Sequence, residues 1–174
     1  MNQPGYITNM QAAEIMARLG QPYRNICYFM LHTGARISDT LSLRTNDIKG
    51  YMWLYEVKTR KKRPVRLNPD VLQTIKAHGG LYYAFEARKP SRRRFEPKRR
   101  CRGQLLYWLK PVSRQIVDYQ IRKAARAIGA TASSHSFRHL YARNLYEASG
   151  GNIEAVRKAM NHVKTETTEK YIFS

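Results

Sequence analysis

Acidic residues are scarce in this sequence. Twelve aspartates and glutamates stand against 32 lysines and arginines, a formal net charge of +20 on 174 residues. That excess goes beyond what solubility requires and points to a polyanionic partner. Cysteine is nearly absent: Cys27 and Cys101 show no CxxC or Cys/His spacing, which sets aside a disulfide framework and a zinc site. Cys27 falls in an apolar helical pattern and reads as core, whereas Cys101 falls among basic residues and reads as exposed. No run of about 18 apolar residues occurs, so no transmembrane helix is expected. The first five residues are polar and lack the apolar centre of a signal peptide. A cytoplasmic location is therefore expected. Of the polyanions, DNA, RNA and anionic membrane, the membrane is disfavoured because no basic amphipathic helix stands out. RNA is disfavoured because no RNA-module signature is present.

What the chain does contain is a mainly helical pattern with one small antiparallel sheet, read as a single domain over residues 1–174. A first helix is expected at about 9–19, with Thr8 and Gln11 as a capping box and Gly20 as its stop. A second begins near Pro22, taken as a first-turn proline. After Thr33-Gly34-Ala35-Arg36 a short helix runs through Ile37, Leu41 and Leu43. The period then changes. Residues 51–57 read as a strand, 58–63 as a basic turn, and 64–67 as a return strand whose proline implies an edge. Asn68 caps a helix with Pro69 at its first position. Further helices are expected at 113–128, stopped by Gly129, and at 136–148, stopped by Gly150 and Gly151. Asn152 caps a short helix, and a last one starts at Thr165 and includes Tyr171.

Residues 88–102 differ in kind, with nine basic residues against Glu96 alone. Such a block repels itself and reads as a loop or arm. Arg92, Arg93, Arg94, Lys98, Arg99 and Arg100 are the candidate phosphate contacts.

The chemistry-bearing residues form an ordered set. Arg36 follows a glycine turn. Lys58 stands at the mouth of the basic hairpin, with Lys61 and Lys62 as competitors in the same turn. His135 and Arg138 are three apart at a helix start, where both can face one site beside free N–H groups. His162 follows a short capped helix, and Tyr171 lies near the end. The spacings are 22 residues from Arg36 to Lys58, 24 from Arg138 to His162 and nine from His162 to Tyr171. This set resembles the tyrosine recombinase (phage-type integrase) family over nearly the whole chain, from about Tyr6 onward. The resemblance implies a helical catalytic domain that cuts and rejoins double-stranded DNA through a 3′-phosphotyrosyl link, without metal, cofactor or ATP. It implies Tyr171 as nucleophile, with Arg36, Lys58, His135, Arg138 and His162 as its catalytic partners, and self-assembly as a dimer or tetramer on DNA.

Bottom-up chemistry agrees with that assignment. The phosphodiester gains negative charge in its transition state, and two guanidinium forks can meet the non-bridging oxygens. A free phenol ionises near about pH 10, so a nearby base such as His135 and two arginines would assist it. Lys58 can protonate the leaving 5′-oxygen. His162 would bind the phosphate or position the tyrosine. His139 reads as a structural hydrogen-bonding residue, and Asp39 as an acid that orients the cluster. Two departures from the family accompany these matches. The pattern begins within the first ten residues, leaving no room for an N-terminal core-binding domain, so the enzyme is either minimal or a fragment. Only Ile172, Phe173 and Ser174 follow the tyrosine, which puts tetramer assembly in doubt or implies that another surface serves it. A DNA-binding regulator without catalysis and a topoisomerase-like relaxing enzyme are the alternatives. Neutralising Arg92, Arg93 and Arg94 is expected to lower DNA affinity and flatten its salt dependence. An unchanged slope in a salt titration would refute phosphate contact by this run.

Overall fold

The computed structural model describes residues 6–87 and 110–173. The element order is α1 (Asn9–Arg18), α2 (Tyr23–Thr33), α3 (Ile37–Leu41), a 3-10 turn (Thr45–Asp47), β1 (Tyr51–Glu56), β2 (Lys61–Arg66), α4 (Pro69–His78), α5 (Arg114–Arg126), α6 (Ser134–Ala148), α7 (Ile153–Ala159) and α8 (Thr165–Phe173). The two strands pair antiparallel, from Tyr51 opposite Arg66 to Glu56 opposite Lys61. The mainly helical fold with one small sheet thus agrees with the sequence pattern.

Local signals set many of the boundaries. Thr8 and Gln11 close the capping box of α1. Asn68, Ser113 and Asn152 cap α4, α5 and α7 through their side-chain oxygens. Each cap satisfies an N–H that has no partner inside the helix. Several boundaries differ from expectation. Pro22 stands at the N-cap of α2, after a cis Gln21–Pro22 bond, rather than inside its first turn. Leu43 lies past the end of α3, where its carbonyl accepts from the Ala84 N–H at 3.0 Å. The return strand starts early, at Lys61, because Arg60 adopts a φ of 55° and its N–H closes on the Glu56 carbonyl at 2.8 Å. Helix α6 begins at Ser134, because the Ser134 N–H donates to Asp118 Oδ1 at 2.9 Å and the Ser133 N–H to Ser136 Oγ at 3.0 Å.

Two apolar clusters hold these elements. The larger gathers Ile15, Ile26, Phe29, Leu54, Ile75, Ile121 and Phe137, with Cys27 buried among them. The smaller joins Ala142, Val156, Met160 and Ile172, with Tyr171 packed against it. Helix α6 contributes to both, so the face between Phe137 and Ala142 is held from two sides. The chain bordering residues 88–109 is also paired: the Ala87 N–H donates to the Lys110 carbonyl and the Val112 N–H to the Phe85 carbonyl, each at 3.0 Å. Arg92, Arg93, Arg94, Lys98, Arg99, Arg100 and Cys101 lie outside the described residues. Among the described residues, no helix is long and apolar enough to cross a membrane.

Helix α2 ends at Gly34, in the left-handed region at φ 62°. A Cβ at this position would lie 2.3 Å from the Tyr141 ring. Gly34→Ala is expected to cost about 1 kcal/mol for the backbone and roughly 1–3 kcal/mol more for displacing the ring. In a Tyr141→Ala background the second share should vanish. Urea unfolding of the four chains reads this coupling, and strictly additive losses would overturn it.

Candidate active site

The site is built around the end of α2. A helix C-terminus leaves carbonyls without partners, and here two arginines fill them. Arg63, on the inward face of β2, donates to the Thr33 carbonyl at 2.6 Å. Arg138, fully buried on α6, donates to the Gly34 carbonyl. Arg36 follows two residues later as the N-cap of α3 and keeps about a fifth of its side chain exposed.

Glu56 gathers this cluster. It is fully buried at the inward end of β1, with Arg36 and Arg63 each 3.3 Å from its carboxylate. Thr59 Oγ1 donates to it at 2.8 Å and Asn161 Nδ2 at 3.1 Å. Burial alone would raise its pKa, but the Thr59 and Asn161 hydrogen bonds and the two arginines outweigh burial and hold it below the usual value. Asp39, also buried, accepts from the Val57 N–H at 3.0 Å and lies 3.8 Å from Arg36. Burial raises its pKa despite that hydrogen bond. The expected orienting acid is therefore two acids: Glu56 lies nearer Arg36, while Asp39 fastens the hairpin end to α3.

Tyr171 projects from α8 into a nest of rings. His139 stacks on it at 4.3 Å between centroids, and His135 and His162 each lie 5.1 Å away. The Arg138 guanidinium carbon is 5.4 Å from the ring centre. His162 Nε2 is 3.0 Å from Arg138 Nη2, and its Nδ1 is 3.0 Å from Thr168 Oγ1. Because arginine only donates, Nε2 accepts and Nδ1–H donates to the threonine, which fixes the neutral tautomer. Burial and the Arg138 charge push His162 down to about 4. Burial and His135 push His139 down to about 4 as well. His139 Nδ1 donates to the Tyr171 carbonyl at 3.2 Å, in keeping with a structural hydrogen-bonding role. His135 is exposed as a residue, but crowding of its ring and the charges of Arg138, Arg114 and Arg36 lower its pKa too. Burial lowers Arg138 to about 10, so it stays charged at neutral pH.

The structure therefore brings together Arg36, His135, Arg138, His162 and Tyr171. It does not bring Lys58 into the cluster: that lysine lies exposed on the hairpin turn, without a hydrogen bond or ion pair among the described residues. At the first turn of α6, Asp118 already accepts from the Ser134 N–H. Sequence reasoning missed Glu56, Arg63 and Asn161. Glu56 carried a readable signal, since alternation along β1 puts it on the same face as Met52 and Leu54. Asn161 takes a left-handed φ of 55°, a conformation asparagine tolerates better than most residues. Among the described residues, no group of three or more histidine, cysteine or acidic side chains converges as metal ligands.

Comparison with known proteins follows the same pattern. Residues 6–174 match the sequence profile of the phage integrase family. A tyrosine recombinase XerC from Caldanaerobacter subterraneus subsp. tengcongensis is 24% identical over 98% of this chain and 48% of its own length. A probable integrase/recombinase, YoeC, from Bacillus subtilis is 29% identical over 83% of this chain and 73% of its own length. The chain thus spans about half of the XerC relative. Among solved structures, the XerA recombinase superposes with a TM-score of 0.72 at 16% identity, covering 99% of this chain and 60% of that one. A lambda integrase dimer bound to a core site gives 0.71 at 18% identity, over 98% of this chain and 49% of that one. At these identities the structural likeness establishes the fold.

The histidine nest generates a pH dependence of stability. In the unfolded chain His139 and His162 titrate near 6.5; in the folded chain both titrate at about 4. Between those values the unfolded state binds more protons. Stability is therefore complete above about pH 6.5 and falls as pH drops toward 4, by at most about 1.4 kcal/mol per unit for each group. His162→Gln is expected to flatten that slope. Urea midpoints at about pH 7.5 and 5 measure it, and an unchanged slope would show that His162 is not neutral in the fold.

Proposed function

The chain belongs to the phage integrase family, and from that premise we propose that it is a site-specific recombinase that cuts and rejoins double-stranded DNA through Tyr171. The observation that carries this reading is the meeting of Tyr171 with His135, Arg138 and His162, delivered by α6, α8 and the segment between α7 and α8. Tyr171 Oη attacks the phosphorus, the bond from phosphorus to the 5′-oxygen breaks, and a 3′-phosphotyrosyl link forms. Neutral His135 takes the phenolic proton. Lys58, carried to the DNA on the hairpin turn, protonates the leaving 5′-oxygen. Rejoining is the reverse attack by a 5′-hydroxyl, and the retained phosphoester makes ATP unnecessary.

Two arginines stabilise the charged phosphate in this scheme. Arg36 is partly exposed and meets it first. Arg138 lies under the Tyr171 ring, and its Nε is buried without a hydrogen-bond partner among the described residues. That donor becomes available to a phosphate once the ring moves toward its target. Double-stranded DNA as substrate, assembly into a dimer or tetramer on it, a single catalytic domain and a cytoplasmic location complete the reading. The basic run at 88–102 adds phosphate contacts.

The test is a nicked duplex to which the protein binds. Wild type should leave a protein–DNA adduct that survives denaturation, and Tyr171→Phe should bind the duplex but leave none. His135→Ala should slow adduct formation by about 10²–10⁴-fold with binding retained. A bound wild-type protein that forms no adduct, or an adduct that persists in Tyr171→Phe, would overturn the reading. Adding a second duplex and scoring exchanged strands separates recombination from relaxation.

A further inference from the structure

The outward face of the hairpin plays no part in the site. Alternation along β1 turns Met52, Leu54 and Glu56 inward and leaves Tyr51, Trp53 and Tyr55 outward, at 55%, 59% and 45% exposure. Across the ladder, Tyr51 faces Arg66, Trp53 faces Pro64 and Tyr55 faces Lys62, all exposed. The Tyr51 and Trp53 rings touch edge to face at 6.4 Å between centroids. Glu56 is the one acid on either strand, and it is buried. The outward face is therefore a row of three aromatic rings flanked by cations, running into the basic turn that holds Lys58 and Arg60, next to Lys61 at the start of β2.

Three adjacent exposed aromatics on a short strand are unfavourable in water and mark a binding surface. The cations select a polyanion. The rings distinguish its kind. In a duplex the base faces are covered by stacking, so such a surface could use its charge there but not its rings. An unpaired strand offers bare π-faces beside its phosphates, the combination that aromatic and basic platforms bind.

We infer that the outer face of the β1–β2 hairpin is a binding site for single-stranded DNA, with Tyr51, Trp53 and Tyr55 stacking on bases and Lys62 and Arg66 holding phosphates. The inference rests on the proposed recombinase reading only for the choice of DNA over RNA. Strand exchange unpairs DNA, and the platform ends at the turn that carries Lys58, so it can hold an unpaired segment next to the site. Outward position also means that the three rings can be altered without disturbing either apolar cluster.

The experiment measures binding, not cleavage, so it fails or succeeds separately from the adduct test. The 174-residue Tyr171→Phe protein is titrated against a labelled oligothymidylate, an abasic oligomer of equal length and a duplex of equal length. Oligothymidylate should bind tighter than the abasic strand. Trp53→Ala should weaken oligothymidylate binding by about tenfold, as expected for loss of one stacking ring, while duplex affinity stays within about twofold. Trp53→Phe should restore most of the loss. Equal losses for strand and duplex would mean a general basic surface. Equal binding of thymidylate and abasic strands would mean charge alone. No loss in Trp53→Ala would leave the face for a protein partner. Each of these three results overturns the proposal. An oligouridylate arm that binds tighter than oligothymidylate would move the site to RNA and overturn it as well.

Discussion

The end of α2 is the constraint from which the site follows. Helix termination there needs a left-handed residue, and Gly34 supplies it without a side chain. The turn leaves the carbonyls of Thr33 and Gly34 pointing out of the helix, where Arg63 and Arg138 bind them. One terminus thereby fixes a hairpin residue and an α6 residue at adjacent points. The missing side chain at Gly34 is also the space into which Tyr141 packs, three residues beyond Arg138 on the same helix. The glycine in the Gly-x-Arg sequence thus does two physical jobs, and the arginine two residues later starts α3 facing the same cluster.

Charge management follows from that geometry. Burial depresses Arg63 and Arg138, and the neighbouring charge of Arg36 adds to that cost. Glu56 offsets part of it from the centre, anchored by Thr59 and Asn161. Buried ion pairs rarely gain much stability over apolar packing, so this network is better understood as fixing positions. Burial first, and then neighbouring positive charge, lowers the pKa of all three histidines at the site and favours their neutral forms. That neutrality lets His162 accept from Arg138 while donating to Thr168, and it leaves His135 able to take a proton. A protonated imidazole at any of these positions would add another cation to an already crowded site.

Much of the fold and part of the site were legible in the sequence, and the division has a physical basis. Caps at Thr8, Asn68, Ser113 and Asn152 are local chemistry, written within a few residues, and they set the helix starts as read. Arg36, His135, Arg138, His162 and Tyr171, the set the family resemblance implied, lie near one another. Glu56, Arg63 and Asn161 were missed because their partners lie up to 105 residues away, and nothing local marks a buried acid as the partner of a distant arginine. The early start of α6 was missed for the same reason, since the group that caps Ser134 is Asp118 on another helix. Lys58 was readable as a hairpin lysine, but a turn residue exposed to solvent owes its position to whatever the turn meets.

Tyr171 joins these levels. Its ring belongs to the small apolar cluster of α6, α7 and α8, and its stacking on His139 helps to seat the last helix. Its carbonyl accepts from the same histidine, so side chain and backbone are held by one residue. A ring placed this way cannot leave the cluster without giving up packing, and the Arg138 guanidinium carbon lies 5.4 Å from its centre, so the two side chains share one environment.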